Sequence, residues 1–338
     1  MRKINVSGAA LITSPSNLFY FCGYKNSDAR LIFFDGGIYY FTDARYFEEV
    51  NACITDAEIL DIKEFDNFLR KNKLTRLYIE DSLEYSRFLT LKSLGVTEFI
   101  SVTPQINGLR AIKTPAEVEM IKAAQAITDK TFSELLGYIK EGITERELSG
   151  TLSALLFKNG ADGAAFENIV AFGKNTSKPH AHPTDTKLGK GMAITLDFGA
   201  KLDNYCSDMT RTIFFGKPSD EMIKTYNIVL EAQKIALENI RTGMTGIECD
   251  NLARAHFAKV GLDRYFLHSL GHSLGIDIHE APSFSPKCDT VMEENMIMSV
   301  EPGLYFENSF GIRIEDIICF DKISANNLTK SEKNVIII

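Results

Sequence analysis

MAITLDFGAKLDNYCSDMTRTIFF, residues 192–215, is the stretch whose reading decides the fold. Met192 to Gly199 and Tyr205 to Phe215 are rich in β-branched and aromatic residues, and the Asp203-Asn204 pair between them tolerates turn conformations. The stretch reads as a hairpin. With the turn centred between Leu202 and Asp203, Asp197 and Asp208 are expected to face each other directly across the strands. Side chains opposed in this way hold their Cβ atoms roughly 5 Å apart, where like charges repel unless cations neutralise them. Paired carboxylates can span two ions held roughly 3.5 to 4 Å apart, the spacing of two-metal hydrolytic sites.

MIMSVEPGLYFENSFGIRIE, residues 296–315, repeats the pattern with a longer loop near Asn308-Ser309 and sets Glu301 against Glu315. Asp197 and Glu301 both have apolar neighbours that point to burial, and buried charges must be paired or coordinate a metal. His272, in GHSLG, adds an imidazole. Asp197-Phe198-Gly199 also occurs in protein kinases, but the chain has no HRD-type loop, VAIK-type lysine or GxGxxG loop to accompany it.

The chain has 338 residues, of which 45% are hydrophobic and 24% charged, enough for two ordinary globular domains. Its net charge is −8 and no basic tract stands out, so a nucleic-acid role has no electrostatic support. No apolar run is long enough to span a membrane, and the one at Ala9–Ile12 is too short for a secretory leader. A cytoplasmic location is therefore expected. The six cysteines lack CxxC spacing and are expected to remain thiols. All six histidines lie beyond residue 179, so imidazole chemistry belongs to the second part of the chain.

Residues 1–110 are expected to form a small mixed domain. Leu31 to Thr42 reads as a hairpin turning at Asp35-Gly36-Gly37, Leu77 starts a strand, and 43–51 and 62–71 look helical. A second domain, 111–338, is expected to open with the capping box Thr114-x-x-Glu117, where Pro115 fits the first helical position. Boxes recur at Thr144-x-x-Glu147 and Thr245-x-x-Glu248, each at a similar distance before an acidic hairpin. This points to an internal duplication of helix, helix, hairpin with the site between the halves.

Asp, Asp, His, Glu and Glu thus occur in order within LDFGA, SDMTRT, GHSLG, EPGLY and GIRIED. In these motifs, residues 110–320 resemble the M24 metallopeptidase family of creatinase, prolidase, aminopeptidase P and methionine aminopeptidase. The N-terminal GAALITSPSNLFYFCGYKNSDARLIFF is similar to the small domain of the creatinase, prolidase and aminopeptidase P branch, which methionine aminopeptidases lack. The resemblance implies an α+β architecture, a C-terminal pita-bread domain preceded by a smaller α/β creatinase-type domain. It also implies two divalent metal ions held by Asp197, Asp208, His272, Glu301 and Glu315, with Asp208 and Glu315 bridging both. A set of one nitrogen and four carboxylates suits manganese first, with cobalt, iron or zinc also compatible.

Further roles follow from the same resemblance. Glu301 is the expected proton shuttle, and His180, His268 and His279 are expected to line the substrate pocket and steady the tetrahedral intermediate. Arg313, two residues before Glu315, is expected to hold a ligand carboxylate in place. His182 and His256 read as a solvated loop residue and a helix residue, and Cys206 as no ligand. The implied activity is an Xaa-Pro aminopeptidase acting on proline-containing peptides, with a homodimer expected. Xaa-Pro dipeptidase is the alternative. Dipeptidases of this branch often carry an arginine after His-Glu-x-Pro, whereas Ser283 follows His279-Glu280-Ala281-Pro282 here. A creatinase-like amidinohydrolase and a catalytically silent binding protein are the remaining readings.

Overall fold

A computed structural model of the chain describes residues 4–338, which form two compact units, one ending at Arg110 and the other spanning Ala111–Ile338. In the first, β1 (Ala9–Ile12), β2 (Arg30–Phe34), β3 (Gly37–Thr42), β4 (Glu58–Asp61), β5 (Arg76–Ile79) and β6 (Glu98–Ser101) form one sheet in the order β4-β3-β2-β1-β5-β6. The β2–β3 turn uses Asp35 and Gly36 with φ of 49° and 74°, the mirror-image turn that matches strand twist. The helices are α1 (Pro15–Cys22), α2 (Phe47–Cys53), α3 (Phe65–Lys71), α4 (Tyr85–Ser93) and α5 (Thr103–Ala111). Phe65 and Leu69 of α3 and Leu91 of α4 join Leu11, Ile32, Phe41 and Leu77 of the sheet in one apolar cluster.

The second unit opens with α6 (Pro115–Leu135) and α7 (Glu145–Lys158). The strands β7 (Gly163–Ala164), β8 (Ile169–Phe172), β9 (Met192–Phe198), β10 (Ala200–Leu202), β11 (Tyr205–Cys206) and β12 (Met209–Phe215) follow. The pattern then returns with α8 (Asp220–Asn239) and α9 (Gly246–Lys259). After them come β13 (Gly271–Ser273), β14 (Glu280–Phe284), β15 (Ile297–Val300), β16 (Gly303–Phe306), β17 (Phe310–Arg313), β18 (Asp316–Phe320) and β19 (Ala325–Asn327). Capping boxes at Thr114, Thr144 and Thr245 start α6, α7 and α9, each cap contributing about 1 kcal/mol by satisfying amides the helix leaves open.

Strand alternation decides what faces the centre. Along β9, Ile194, Leu196 and Phe198 pack with Leu148 and Leu152 of α7. The period of two therefore turns Thr195 and Asp197 to the opposite face. Along β15, Met298 and Val300 pack with Val229 of α8 and Phe257 of α9, so Ser299 and Glu301 face the other way. Each apolar side chain so buried stabilises the fold by about 1.5–3 kcal/mol, which fixes the register that places the acids.

The first hairpin departs from expectation in register. Its turn is centred on Asp203 and Asn204, both left-handed with φ of 48° and 70°, and the ladder pairs Leu202 with Tyr205 and Asp197 with Thr210. Asp197 and Asp208 are not directly opposed. Asp208 lies just before β12, two residues from Asp197's partner, so the carboxylates are diagonal neighbours on one face. Placing the turn one residue too early caused the error, and because the shift in pairing is even, the face was preserved. The second hairpin keeps its expected register. Val300 pairs with Asp316 and Gly303 with Arg313, which sets Glu301 against Glu315 in the gap between the two ladders.

Two glycines permit the close approach of backbones here. A Cβ on Gly199 would lie 1.8 Å from the Ser207 carbonyl oxygen, and one on Gly271 would lie 1.9 Å from that of Ser299.

Candidate metal centre

Asp197, Asp208, His272, Glu301 and Glu315 line one cavity of about 310 Å³ together with His180, His268, His279, Arg313 and Ser283. Their carriers are the end of β9, the approach to β12, β13, the exit of β15 and the link between β17 and β18. Ligand atoms of Asp208, His272 and Glu315 lie within 4.8 Å of one another. His182 is exposed and stands 3.7 Å from Glu167, outside the cavity lining. Cys206 is buried with its Sγ 3.6 Å from the Ile276 carbonyl, and none of the six cysteines is in a disulfide.

Each half of the second unit holds acids presented by the other. Arg313 donates from Nη2 to Asp197 Oδ2 at 2.6 Å and from Nε to Thr210 Oγ1 at 3.0 Å. Thr210 in turn donates to Glu315 Oε2 at 2.7 Å. Arg313 and Asp197 thus form a charged hydrogen bond within the cluster. Ser299 donates to Glu301 Oε1 at 3.1 Å and accepts the His272 backbone amide at 3.0 Å.

The cluster needs positive charge. Asp197 Oδ1, Asp208 Oδ1 and Glu315 Oε1 are buried without a hydrogen-bond partner among the described residues, a costly state for carboxylate oxygens. Burial, followed by the charges of Glu315, Asp197 and Glu301, pushes the Asp208 carboxyl well above its ordinary range. Burial and then Glu301 and Asp197 do the same to Glu315, and burial above all lifts Glu301 to about 7. His272 Nδ1 stands 3.2 Å from the Ser273 carbonyl, which fixes the proton on that nitrogen. Its Nε2 lone pair then faces Asp208 Oδ2 at 3.6 Å and Glu301 Oε1 at 3.4 Å. Three acceptor atoms converging on one place suit a cation, and the hydrogen-bonded second nitrogen is the habit of metal-ligating histidines. The residues present therefore fit divalent ions.

The histidines differ in what they can offer. His268 Nδ1 lies 2.8 Å from the Ser269 carbonyl and Nε2 lies 2.9 Å from the Tyr305 hydroxyl. The hydrogen-bond pattern assigns the proton to Nδ1, and Nε2 accepts from Tyr305, whose oxygen accepts from Arg313 Nη1 at 2.6 Å. Burial, then Arg313, lowers His268 to about 3, so the ring is neutral and has no N–H to spare. His180 and His279 are exposed at the cavity wall. His279 packs its ring 4.5 Å from that of His272, and burial followed by His272 lowers its pKa.

Sequence reasoning did not name Thr210, Ser299 or Tyr305, nor the apolar wall of Phe166, Ile169, Pro179 and Ile278. A signal for Tyr305 was present in its glycine neighbours. A Cβ on Gly303 or Gly311 would come within 2.7 Å of the Tyr305 side chain, so both positions are kept bare for its ring.

Residues 119–322 match metallopeptidase family M24, and residues 3–112 match the creatinase/prolidase N-terminal domain. The Xaa-Pro dipeptidase of Pyrococcus furiosus is 36% identical over 329 residues, covering 96% of this chain and 94% of that protein. Among solved structures, an Xaa-Pro dipeptidase from Bacillus anthracis superposes with a TM-score of 0.94 at 36% identity, covering 98% of this chain and 95% of the other. An X-Pro aminopeptidase from Thermotoga maritima superposes with a TM-score of 0.89 at 33% identity, covering 98% and 97%. The second unit has the pita-bread fold of these neighbours, and the chain belongs to metallopeptidase family M24, in its Xaa-Pro dipeptidase and aminopeptidase branch.

Proposed function

We propose that the chain is an exopeptidase that hydrolyses the bond preceding proline, with two divalent cations, manganese first, held by Asp197, Asp208, His272, Glu301 and Glu315. The observation that carries this reading is the meeting of the His272 Nε2 lone pair with the carboxylate oxygens of Asp208 and Glu301. Bound ions of this kind acidify water and polarise a carbonyl. Glu301, oriented through Oε1 by Ser299, takes the proton of the attacking water and returns it to the proline nitrogen as the amide breaks. His180 and His279 donate to the oxygen that gains charge. His268 acts through Tyr305 and Arg313, keeping Asp197 in place.

The names of the relatives favour Xaa-Pro dipeptides as substrates, the alternative in the sequence reading, and we place this first. The expected aminopeptidase activity stands second because of Ser283. Arg313, the one arginine among the described residues that line the cavity, is engaged by Asp197, and Ser283 supplies no cation for a carboxylate carried directly on proline. The two are separated by amine release from Ala-Pro and Ala-Pro-Ala with manganese-loaded protein. Higher kcat/KM on Ala-Pro supports the dipeptidase, and the reverse makes aminopeptidase the better name. Cleavage of neither overturns the Xaa-Pro reading. Ser283→Arg should shift the ratio towards Ala-Pro in either case, since it adds a charge-assisted partner.

A further inference from the structure

The first unit holds a small cavity lined by Leu11, Thr13, Arg30, Phe65, Arg87 and Thr90, of about 40 Å³. It lies between the sheet and the helices α3 and α4, and none of the proposed chemistry uses it. Two of its six named walls are guanidinium groups. The Arg30 guanidinium carbon sits 4.3 Å above the Phe65 ring, which fixes the group by cation–π contact. Among the described residues it has no ion pair or hydrogen bond. Among the described residues Arg87 reaches only Glu84, at 3.6 Å from Nε, and its Nη1 is buried with no partner among them. A buried orphan donor on a charged group costs several times what an exposed one does, and it marks a missing acceptor.

The alternatives nearby do not supply that acceptor. Thr13 donates its hydroxyl to Glu80, and Glu80 is saturated by the amides of Thr13 and Ser14 and by Asn17. Thr90 donates to the Ser86 carbonyl. Asp66 acts on Arg30 only as the lesser electrostatic influence, after Arg87 itself. Two like charges facing one cavity repel, and a water molecule between them would satisfy a donor but not the charge. An oxyanion does both, through the forked geometry in which guanidinium groups bind carboxylate and phosphate.

We infer that the cavity between Arg30 and Arg87 is a binding site for a small oxyanion, independent of the carboxylate and histidine cluster in the second unit. Phosphate-type and carboxylate-type anions share the required chemistry. They are told apart by titrating inorganic phosphate and acetate separately into the full-length, metal-loaded protein at constant ionic strength, with chloride as reference. Melting temperature and heat of binding are the readouts. At least one of the two should raise the melting temperature and bind once per chain. Arg30→Met and Arg87→Met should each weaken that binding about tenfold or more, the loss of one charged hydrogen bond. Phosphate alone responding assigns a phosphate-type ligand, and acetate responding assigns a carboxylate. Unchanged affinity in both variants would mean that the anion sits elsewhere, and equal stabilisation by chloride would mean that no oxyanion is recognised. Either overturns the inference. Arg87→Lys, which keeps charge and stem but loses the fork, guards against misfolding and should bind with intermediate affinity. In anion-free buffer Arg87→Met should melt no lower than the parent, because it removes a repulsion and an orphan donor. A clear drop there would show Arg87 to be satisfied already and would also overturn the site.

Discussion

In the first half of the second unit, β8 sets Ile169 against Asp197, whereas in the second half β13 brings His272 beside Glu301, and both side chains line the same cavity. The helix pairs, the capping boxes of α7 and α9, and the strand order around β9 and β15 correspond. What differs is the chemistry mounted on that frame. One half contributes two aspartates beside an apolar wall, and the other contributes a nitrogen and two longer carboxylates. The aspartates are diagonal and the glutamates opposed, so the shorter side chains are offset where the longer ones meet head-on. A repeated scaffold thus supplies unequal positions, as a reaction with an attacking and a leaving side requires.

The harshest way to break this comparison is to remove the residue from each half that is proposed to serve both ions. Asp208→Ala and Glu315→Ala should each abolish activity and most bound metal, read by elemental analysis. Full metal loading in both variants would sink the assignment. Next, His279→Ala should keep its metal while kcat falls about 10²- to 10⁴-fold, the range of a lost proton or oxyanion partner. A variant that lost metal instead would make His279 a ligand.

The bracing between halves is probed more gently. Thr210→Val removes the hydroxyl that Glu315 and Arg313 share, and it should weaken metal affinity about 10- to 100-fold, the usual cost of disturbing a residue behind a ligand. Chelator competition measures this, and an unchanged affinity would show that the Asp197–Arg313 bond alone suffices. The smallest effect is expected at the position that distinguishes the halves. Ile169→Ala should leave metal content intact and lower kcat/KM by roughly 1–3 kcal/mol of pocket contact. A loss of metal would mean that the apolar wall supports Asp197 directly.

Much of the site was legible because strand period and local turn chemistry act over a few residues. The faces of Asp197, Asp208, Glu301 and Glu315, the three capping boxes and the Asp35-Gly36 turn follow from such rules. The first hairpin's register did not, since Leu202-Asp203 and Asp203-Asn204 are both acceptable turn centres. Only the left-handed pair at Asp203 and Asn204 keeps Ala200 to Leu202 paired with β7 and β11. Thr210 and the tautomer of His268 were out of reach for a different reason. Their roles arise from contacts between segments far apart in the chain, such as Thr210 with Glu315, and no local pattern encodes a partner more than a hundred residues away.

The exchange of bonds between halves also sets an order of events. Asp197 is braced by Arg313 and Glu315 by Thr210, so a chain with one half formed has carboxylates of the proper kind in positions still unsupported. Such long-range pairings close late, after the loop entropy between residues 197 and 315 has been overcome. The ion-binding arrangement is then a product of folding rather than its seed, and early encounters with cations meet only loose, exchangeable carboxylates. Selection among metals is deferred until the geometry that distinguishes them exists.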